Sequence, residues 1–405
     1  MALRVVMLVA LLATSSVILS YKGVYGGGTS LTMEAEDVEL ERQLKGMNKP
    51  VVKSIKTDNG ETYDCVDFYK QPAFNNPLLK NHIPEMSSSV QKETPKEAFS
   101  GAKQPNLQLD GGGCPLGTVP IRRTTKEDLL RWKSYAKPSG NFHQFLNVAP
   151  GTIYEGFALK DENFKYHGGS TCMSIHNPPV SANQYSGALM WVQGGQDQVQ
   201  VGWHVNPRLY GDNKTHFFGY WTADDSQKKT GCFNAICNGF VQVNRAIPIG
   251  QAFCKTSTYG GEIIELATFL FQDNKSGNWW VSVGENMTNV GYWPRELFNT
   301  IKESAPVVGW RGEVYALQDE KPPLMGTGRY RYRYPPPFGG HPDHRSTAYF
   351  RAVRVSGEDY IRRGPNDKSL RVHRNAIKCY YVQDFPYIDD FFRHTFFYGG
   401  SLSAC

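Results

Sequence analysis

Eight cysteines stand at positions 65, 114, 172, 232, 237, 254, 379 and 405. Their number is even, so in an oxidising compartment they are expected to pair. Cys232 and Cys237 enclose four residues in Gly-Cys-Phe-Asn-Ala-Ile-Cys-Asn-Gly-Phe, a spacing that suits a short loop stapled at a turn. Cys379 and Cys405 are placed to tie the terminal segment back. His341 and His344, in His-Pro-Asp-His, have the donor atoms of a metal site. Two histidines on a proline-rich turn are more simply surface groups. No HExxH, Walker A, GxSxG or CxxC pattern occurs, and the runs Gly26–Gly28 and Gly111–Gly113 follow no convincing strand and open no helix. The chain is therefore expected to use no metal and no cofactor. Arg329, Arg331 and Arg333 alternate with Tyr330, Tyr332 and Tyr334. On a strand the two types face opposite ways. That suits tyrosines in a core, with arginines in solvent or on an acidic polysaccharide, better than it suits nucleic acid. Asn213, Asn274 and Asn286 head the N-x-[ST] sequons open to glycosylation in a secreted chain.

A scaffold must hold these groups, and composition restricts it. The 405 residues have room for two or three domains of about 150 residues each. Aromatic residues at 13%, with 40 Gly and 24 Pro, suit a turn-rich β protein and exclude a disordered or collagen-like chain. One apolar run, Val5 to Leu19 after Arg4, excludes a protein of many membrane spans. It has the form of a signal peptide over residues 1–24 and is short for a span. Secretion to the extracellular space (apoplast) is expected, with the vacuole as the other destination and no membrane attachment after cleavage. A net charge of +6 is mild over this length; it calls for no nucleic acid and would suit an acidic wall polymer. A monomer is expected.

The pattern predicts a helix over 29–47, stopped by Gly46 and Pro50, then a hairpin with strands Val51–Ile55 and Thr62–Tyr69 around Thr57-Asp58-Asn59-Gly60. Residues 86–113, rich in Ser, Lys, Gln, Pro and Gly, read as an exposed linker. Pro120–Arg123 reads as a strand end, and Thr125 as the cap of a helix with Asp128 three residues on. From about residue 150, β-branched and aromatic runs recur between turn signals: Ala188–Val192, Gln198–Val205, His216–Trp221, Ile263–Phe271, Trp279–Val283, Glu313–Leu317 and Ala348–Val355. A short helix begins at Pro294, with proline in its first turn. The expectation is an all-β, antiparallel β-sandwich over 150–405, preceded by a small mixed α/β segment over 29–115.

Several stretches resemble the plant neprosin family. Leu44–Pro50, Val52–Ile55, Asp64–Asp67, Lys70–His82 and Cys114–Thr124 are similar to its activation peptide and the link into the mature enzyme. Gly202-Trp203, Tyr210-Gly211-Asp212, Tyr220-Trp221-Thr222, Gly277–Trp280, Gly291–Pro294 and Gly312-Glu313-Val314 are similar to its catalytic domain. The resemblance runs in order over residues 40–405. It implies a secreted zymogen of a glutamic endopeptidase that cleaves after proline in acid. It also implies a pro-segment that covers the cleft and is removed at low pH.

The resemblance places the second catalytic Glu at Glu313 and the first at a position that here is Gln200, in Val199-Gln200-Val201-Gly202-Trp203. A nearby Gln of many members is Leu189 here. Gln takes up no proton at working pH, but its amide donates to water or an oxyanion. Fungal eqolisins use a Gln/Glu dyad, so the resemblance implies Glu313 as base then acid and Gln200 as oxyanion holder. His204, Tyr220 and Arg311 are expected to line the substrate. Alternation puts Val199, Val201, Trp203 and Val205 on one face, and Gln198, Gln200, Gly202, His204 and Asn206 on the other. Asp197 lies off that face on a regular strand and is a poor substitute base. The partners expected are proline-containing peptides, with cell-wall polymers as a second class. The alternative function is a catalytically silent extracellular protein that binds proline-rich wall protein or acidic polysaccharide.

Overall fold

The computed structural model describes residues 28–90, 103–136, 151–161, 163–225, 228–229, 231–329, 340–375 and 379–400. The expected signal peptide, the Arg/Tyr alternation beyond Arg329, and Cys405 lie outside them. The chain divides into two compact units, residues 1–48 and 49–405. The first contains helix α1 (Gly28–Met47), where Arg42 pairs with Glu39 at 2.7 Å on the exposed side. Among the described residues, no helix is long and apolar enough to cross a membrane.

The second unit opens with strands β1 (Val51–Lys56), β2 (Thr62–Asp67) and β3 (Thr118–Arg122), an antiparallel sheet in the order β1-β2-β3. Gly60 closes the hairpin at φ 88°, a conformation that favours glycine. The Cys65–Cys114 disulfide joins β2 to the stretch before β3. Helix α2 (Lys126–Ala136) starts with a reciprocal cap: Asp128 N donates to Thr125 Oγ1 at 3.1 Å, and Thr125 N donates to Asp128 Oδ2 at 3.0 Å.

Next come β4 (Thr152–Lys160), β5 (Gly168–Ser174), β6 (Tyr185–Gly194), β7 (Asp197–Val205), the one-turn helix α3 (Pro207–Tyr210) and β8 (Thr215–Thr222). Short strands follow: β9 (Asp224–Asp225), β10 (Lys228–Lys229), β11 (Cys232–Phe233) and β12 (Val241–Gln242). Then come β13 (Glu265–Gln272), β14 (Trp279–Val283), β15 (Thr288–Trp293) and β16 (Val307–Tyr315). The last strands are β17 (Ala348–Ser356), β18 (Arg362–Arg363), β19 (Leu370–Arg374), β20 (Tyr380–Phe385) and β21 (Thr395–Gly400).

Two antiparallel sheets make the sandwich. A seven-stranded sheet runs β11-β8-β7-β6-β16-β4-β19, and a nine-stranded one runs β12-β15-β14-β13-β5-β17-β21-β20, with β18 on β17. Their inner faces share one core. Val199, Val201, Trp203, Met190 and Trp310 from the first meet Leu266, Leu270, Trp279, Val281 and Phe396 from the second. Trp203 Nε1 donates across the gap to Ser174 O at 2.9 Å.

Some sequence expectations need correction. The stretch 103–113 is not an exposed linker: Leu107 and Leu109 are buried. Backbone bonds Glu265 N to Lys103 O, Leu109 N to Ala246 O and Cys114 N to Arg245 O lay it along the domain. Long-range partners satisfy a backbone whose composition looked solvated. The expected strand at Glu313–Leu317 begins earlier, at Val307, because β4 and β6 both pair with that stretch. The expected helix at Pro294 is a single 3-10 turn, Arg295–Leu297, with Pro294 as its cap.

Candidate functional site

The outer face of the seven-stranded sheet carries Gln200, Glu313, His204, Tyr220 and Arg311. Its floor is partly glycine. At Gly202 an added Cβ would stand 2.1 Å from Ala188 O, and at Gly187 it would stand 2.6 Å from Trp203 O. Strand register then ranks the residues in rows, because directly opposed residues share a face. Gln200 lies opposite Trp191, and Trp191 opposite Gly309. Glu313 lies opposite Gly187, Gly187 opposite His204, and His204 opposite His216.

Gln200 and Glu313 therefore share a face but not a row. They are two strands apart, about 10 Å, and four residues apart along the sheet, about 13 Å, which separates their backbones by about 16 Å. The side chains do not close the gap. Gln200 Nε2 donates to Gln198 Oε1 at 2.8 Å, away from the Glu313 row. Glu313 Oε2 accepts from Arg311 Nε at 2.9 Å and lies 2.8 Å from Nη2. The Trp191 indole lies over Gly309 in the Gln200 row, where an added Cβ would be 2.4 Å from the ring. The structure does not bring the expected dyad together.

The expected substrate-lining residues are occupied in packing. His204 stacks on Phe218 at 4.1 Å and its Nε2 lies 2.8 Å from Tyr210 Oη. Burial, then the neighbouring His216, holds its imidazole far below the ordinary range, so it stays neutral. Tyr220 is buried against Phe233 at 4.9 Å, and burial raises its phenol. Arg311 is tied to Glu313 and lies 4.8 Å over the Trp191 ring. Asp197 is structural: its Oδ2 accepts from Asn299 N at 2.6 Å and Thr300 N at 2.5 Å.

Tyr154, Trp191, Tyr185 and His373 share this face and were missed by sequence reasoning. Alternation from Leu189 gives Trp191 its face, but His373 reaches the site only through pairing of β19 with β4. Burial, aided by the Arg311 charge, lowers His373 to about 4. Burial also raises the Tyr185 phenol, and the Glu313 carboxylate adds to it.

The pro-segment lies elsewhere. Among the described residues, Val66, Phe68, Ala73, Val119 and Ile121 pack on Phe269, Phe271, Trp280 and Tyr292, the outer face of the nine-stranded sheet. It reaches the end of the Glu313 row through Glu61, whose Oε1 is 3.7 Å from His216 Nδ1, and through Trp132 Nε1, which donates to Leu209 O at 2.9 Å. Among its described residues, none is hydrogen-bonded to Gln200.

The Cys232–Cys237 disulfide is present, and Cys379 is also disulfide-bonded. The expected Cys379–Cys405 pairing ends outside the described residues. Asn213, Asn274 and Asn286 are exposed, with Asn274 Oδ1 accepting from Ser89 Oγ at 2.7 Å. His341 and His344 pack on Phe392, each with its ring centre 5.3 Å away. Among the described residues, the His and acid side chains close enough for one metal ion are Asp367, Asp384 and His394, with Asp384 Oδ1 2.7 Å from His394 Nε2.

Residues 182–401 match the family model described as neprosin, and residues 54–163 match that of the neprosin activation peptide. One similar solved structure is scytalido-glutamic peptidase with a transition state analog inhibitor. It is 9% identical over 61% of this chain and 97% of that chain, with a TM-score of 0.33. Another is SCP-B, a member of the eqolisin family of peptidases, in complex with the tripeptide Ala-Ile-His. It is 7% identical over 62% of this chain and 98% of that chain, with a TM-score of 0.30.

Proposed function

The chain belongs to the neprosin family, and from that premise we propose that it is a secreted protein that binds proline-containing peptides without hydrolysing them through a Gln200/Glu313 dyad. Its plan, an activation peptide ahead of a neprosin domain, is that of a peptidase zymogen. The chemistry of such a peptidase is a division of labour over one water: one group removes its proton while the other polarises the carbonyl. Both groups must come within about 3 Å of the reacting atoms. The four-residue offset between Gln200 and Glu313 carries the reading, with Gln200 turned to Gln198 on the far side and Glu313 held by Arg311. What remains is a sheet face that carries Tyr154, Trp191, Tyr185 and His373. Such rings suit the apolar faces of proline.

The zymogen plan favours a second reading, an acid endopeptidase in which Glu313 is the working base. The two separate in one experiment. The purified protein is incubated with a proline-rich peptide at about pH 3, where carboxyl-dependent chemistry of this class would run, and both are followed by mass spectrometry. The binding reading expects an intact peptide and saturable association. Cleavage after proline that Glu313→Gln abolishes would overturn it and establish the peptidase.

A further inference from the structure

Arg311 sits in a slot that its own domain builds around it. Its guanidinium lies 4.8 Å over the Trp191 ring of β6 and 5.3 Å over the Tyr154 ring of β4. His373 of β19 forms the third side. It stacks on Tyr154 at 4.5 Å, lies 5.0 Å from Trp191, and has Nε2 3.5 Å from Arg311 Nη1. Glu313 forms the fourth side, with Oε2 2.9 Å from Nε and 2.8 Å from Nη2. A slot with three aromatic walls and one acid holds a flat cation well. Here the cation is a side chain of the same domain, and it is 3% exposed. The Trp191 ring is thus already covered, while Tyr154 and His373 are half-buried.

We propose that Arg311 is an internal plug of the peptide-binding face, and that acid expels it and opens the Tyr154–Trp191–His373 slot to an incoming peptide. The identity of the ligand rests on the peptide-binding reading above; the plug does not. Arg311 faces Glu313 on its own strand, His373 on β19, Tyr154 on β4 and Trp191 on β6, and Tyr185 on β6 faces Glu313 in turn. One of these, His373, gains a charge in acid, and that change acts against the guanidinium. A protonated His373 sets a second cation 3.5 Å from the guanidinium. The position of His373, lowered to about 4 by burial and by Arg311 itself, puts the release in the acid range.

The test is hydroxyl-radical footprinting read by mass spectrometry at pH about 6 and pH about 3, on either side of the shifted His373 titration. In the wild type, oxidation of Trp191 and Tyr154 is expected to rise several-fold on acidification. In Arg311→Ala it is expected to be high already at pH about 6, where the imidazole is neutral. His373→Phe keeps the ring but not the charge, so its acid response should be less than half that of the wild type. Trp279 and Trp280, both fully buried away from the slot, report the fold. If they too become labelled in acid, the comparison of wild type with Arg311→Ala near neutrality decides. Equal Trp191 protection in those two proteins overturns the plug, as does a wild-type Trp191 signal that ignores pH while the fold holds. A parallel titration with the proline-rich peptide separates the readings: labelling that opens without peptide binding leaves the plug standing and overturns the peptide-binding function.

Discussion

The sandwich has two outer faces built by the same alternation, and they differ in what lies on them. The nine-stranded sheet presents Phe269, Phe271, Trp280 and Tyr292, and the pro-segment covers them with Val66, Phe68, Ala73, Val119 and Ile121. The seven-stranded sheet presents Gln200, Trp191, Arg311, Glu313 and Tyr154, where among the described residues Gln200 bonds Gln198 and Arg311 bonds Glu313 and lies over Trp191 and Tyr154. One face is therefore finished by another part of the chain, and the other by its own side chains. The pro-segment is a structural layer of the fold before it is anything else. Removing it would expose several large aromatic side chains at about 25 cal/mol per Å² of apolar surface.

The contrast can be broken by mutation. The largest effect is expected at the covered face. Phe68→Ala removes a buried ring from the layer contact and should cost about 3–5 kcal/mol in urea unfolding. A loss below about 1 kcal/mol would mean that the pro-segment only rests on the sheet.

A smaller, pH-dependent effect is expected inside the sandwich. Glu155 lies on the core side of β4 with Phe157 and Leu159, fully buried, and among the described residues neither carboxyl oxygen has a hydrogen-bond partner. Burial raises it to about 8, with Arg374 opposing. The folded state then holds a proton that the unfolded state has released. Stability is fully present below about pH 4.5 and falls by about 1.4 kcal/mol per pH unit as the pH rises towards 8. Glu155→Gln should remove that slope, so its melting temperature should exceed the wild type's at pH 7 and match it at pH 4. A parallel pair of pH profiles would refute the assignment.

The smallest effect is expected at the uncovered face. Gln200→Glu restores the family's residue but leaves its row facing Trp191 and Gly309. It should leave a proline-rich peptide intact by mass spectrometry. Cleavage by this single variant would show that a carboxyl at Gln200 finds a working partner despite the register.

Much of this was legible in the chain itself. The strand at 279–283 has the expected limits, the Thr125–Asp128 cap is present, and Cys232 pairs with Cys237. Alternation correctly sent Val199, Val201 and Trp203 to the core and Gln200 away from it. These are local properties: period, caps and short loops depend on residues a few positions apart. The compositional reading of 86–113 failed in its described second half because hydrogen bonds to residues 245, 246 and 265 outweigh local polarity.

What the sequence determined by itself was the type of fold, the family and the face on which each strand residue lies. What tertiary structure alone decided was which residues of that face stand in one row. Glu313 and Gln200 are 113 positions apart in the chain, and nothing in that spacing specifies a register. Register comes from pairing β16 with β6 and β6 with β7. There each residue is opposed to one partner, and a shift of four positions preserves the face while moving a side chain by about 13 Å.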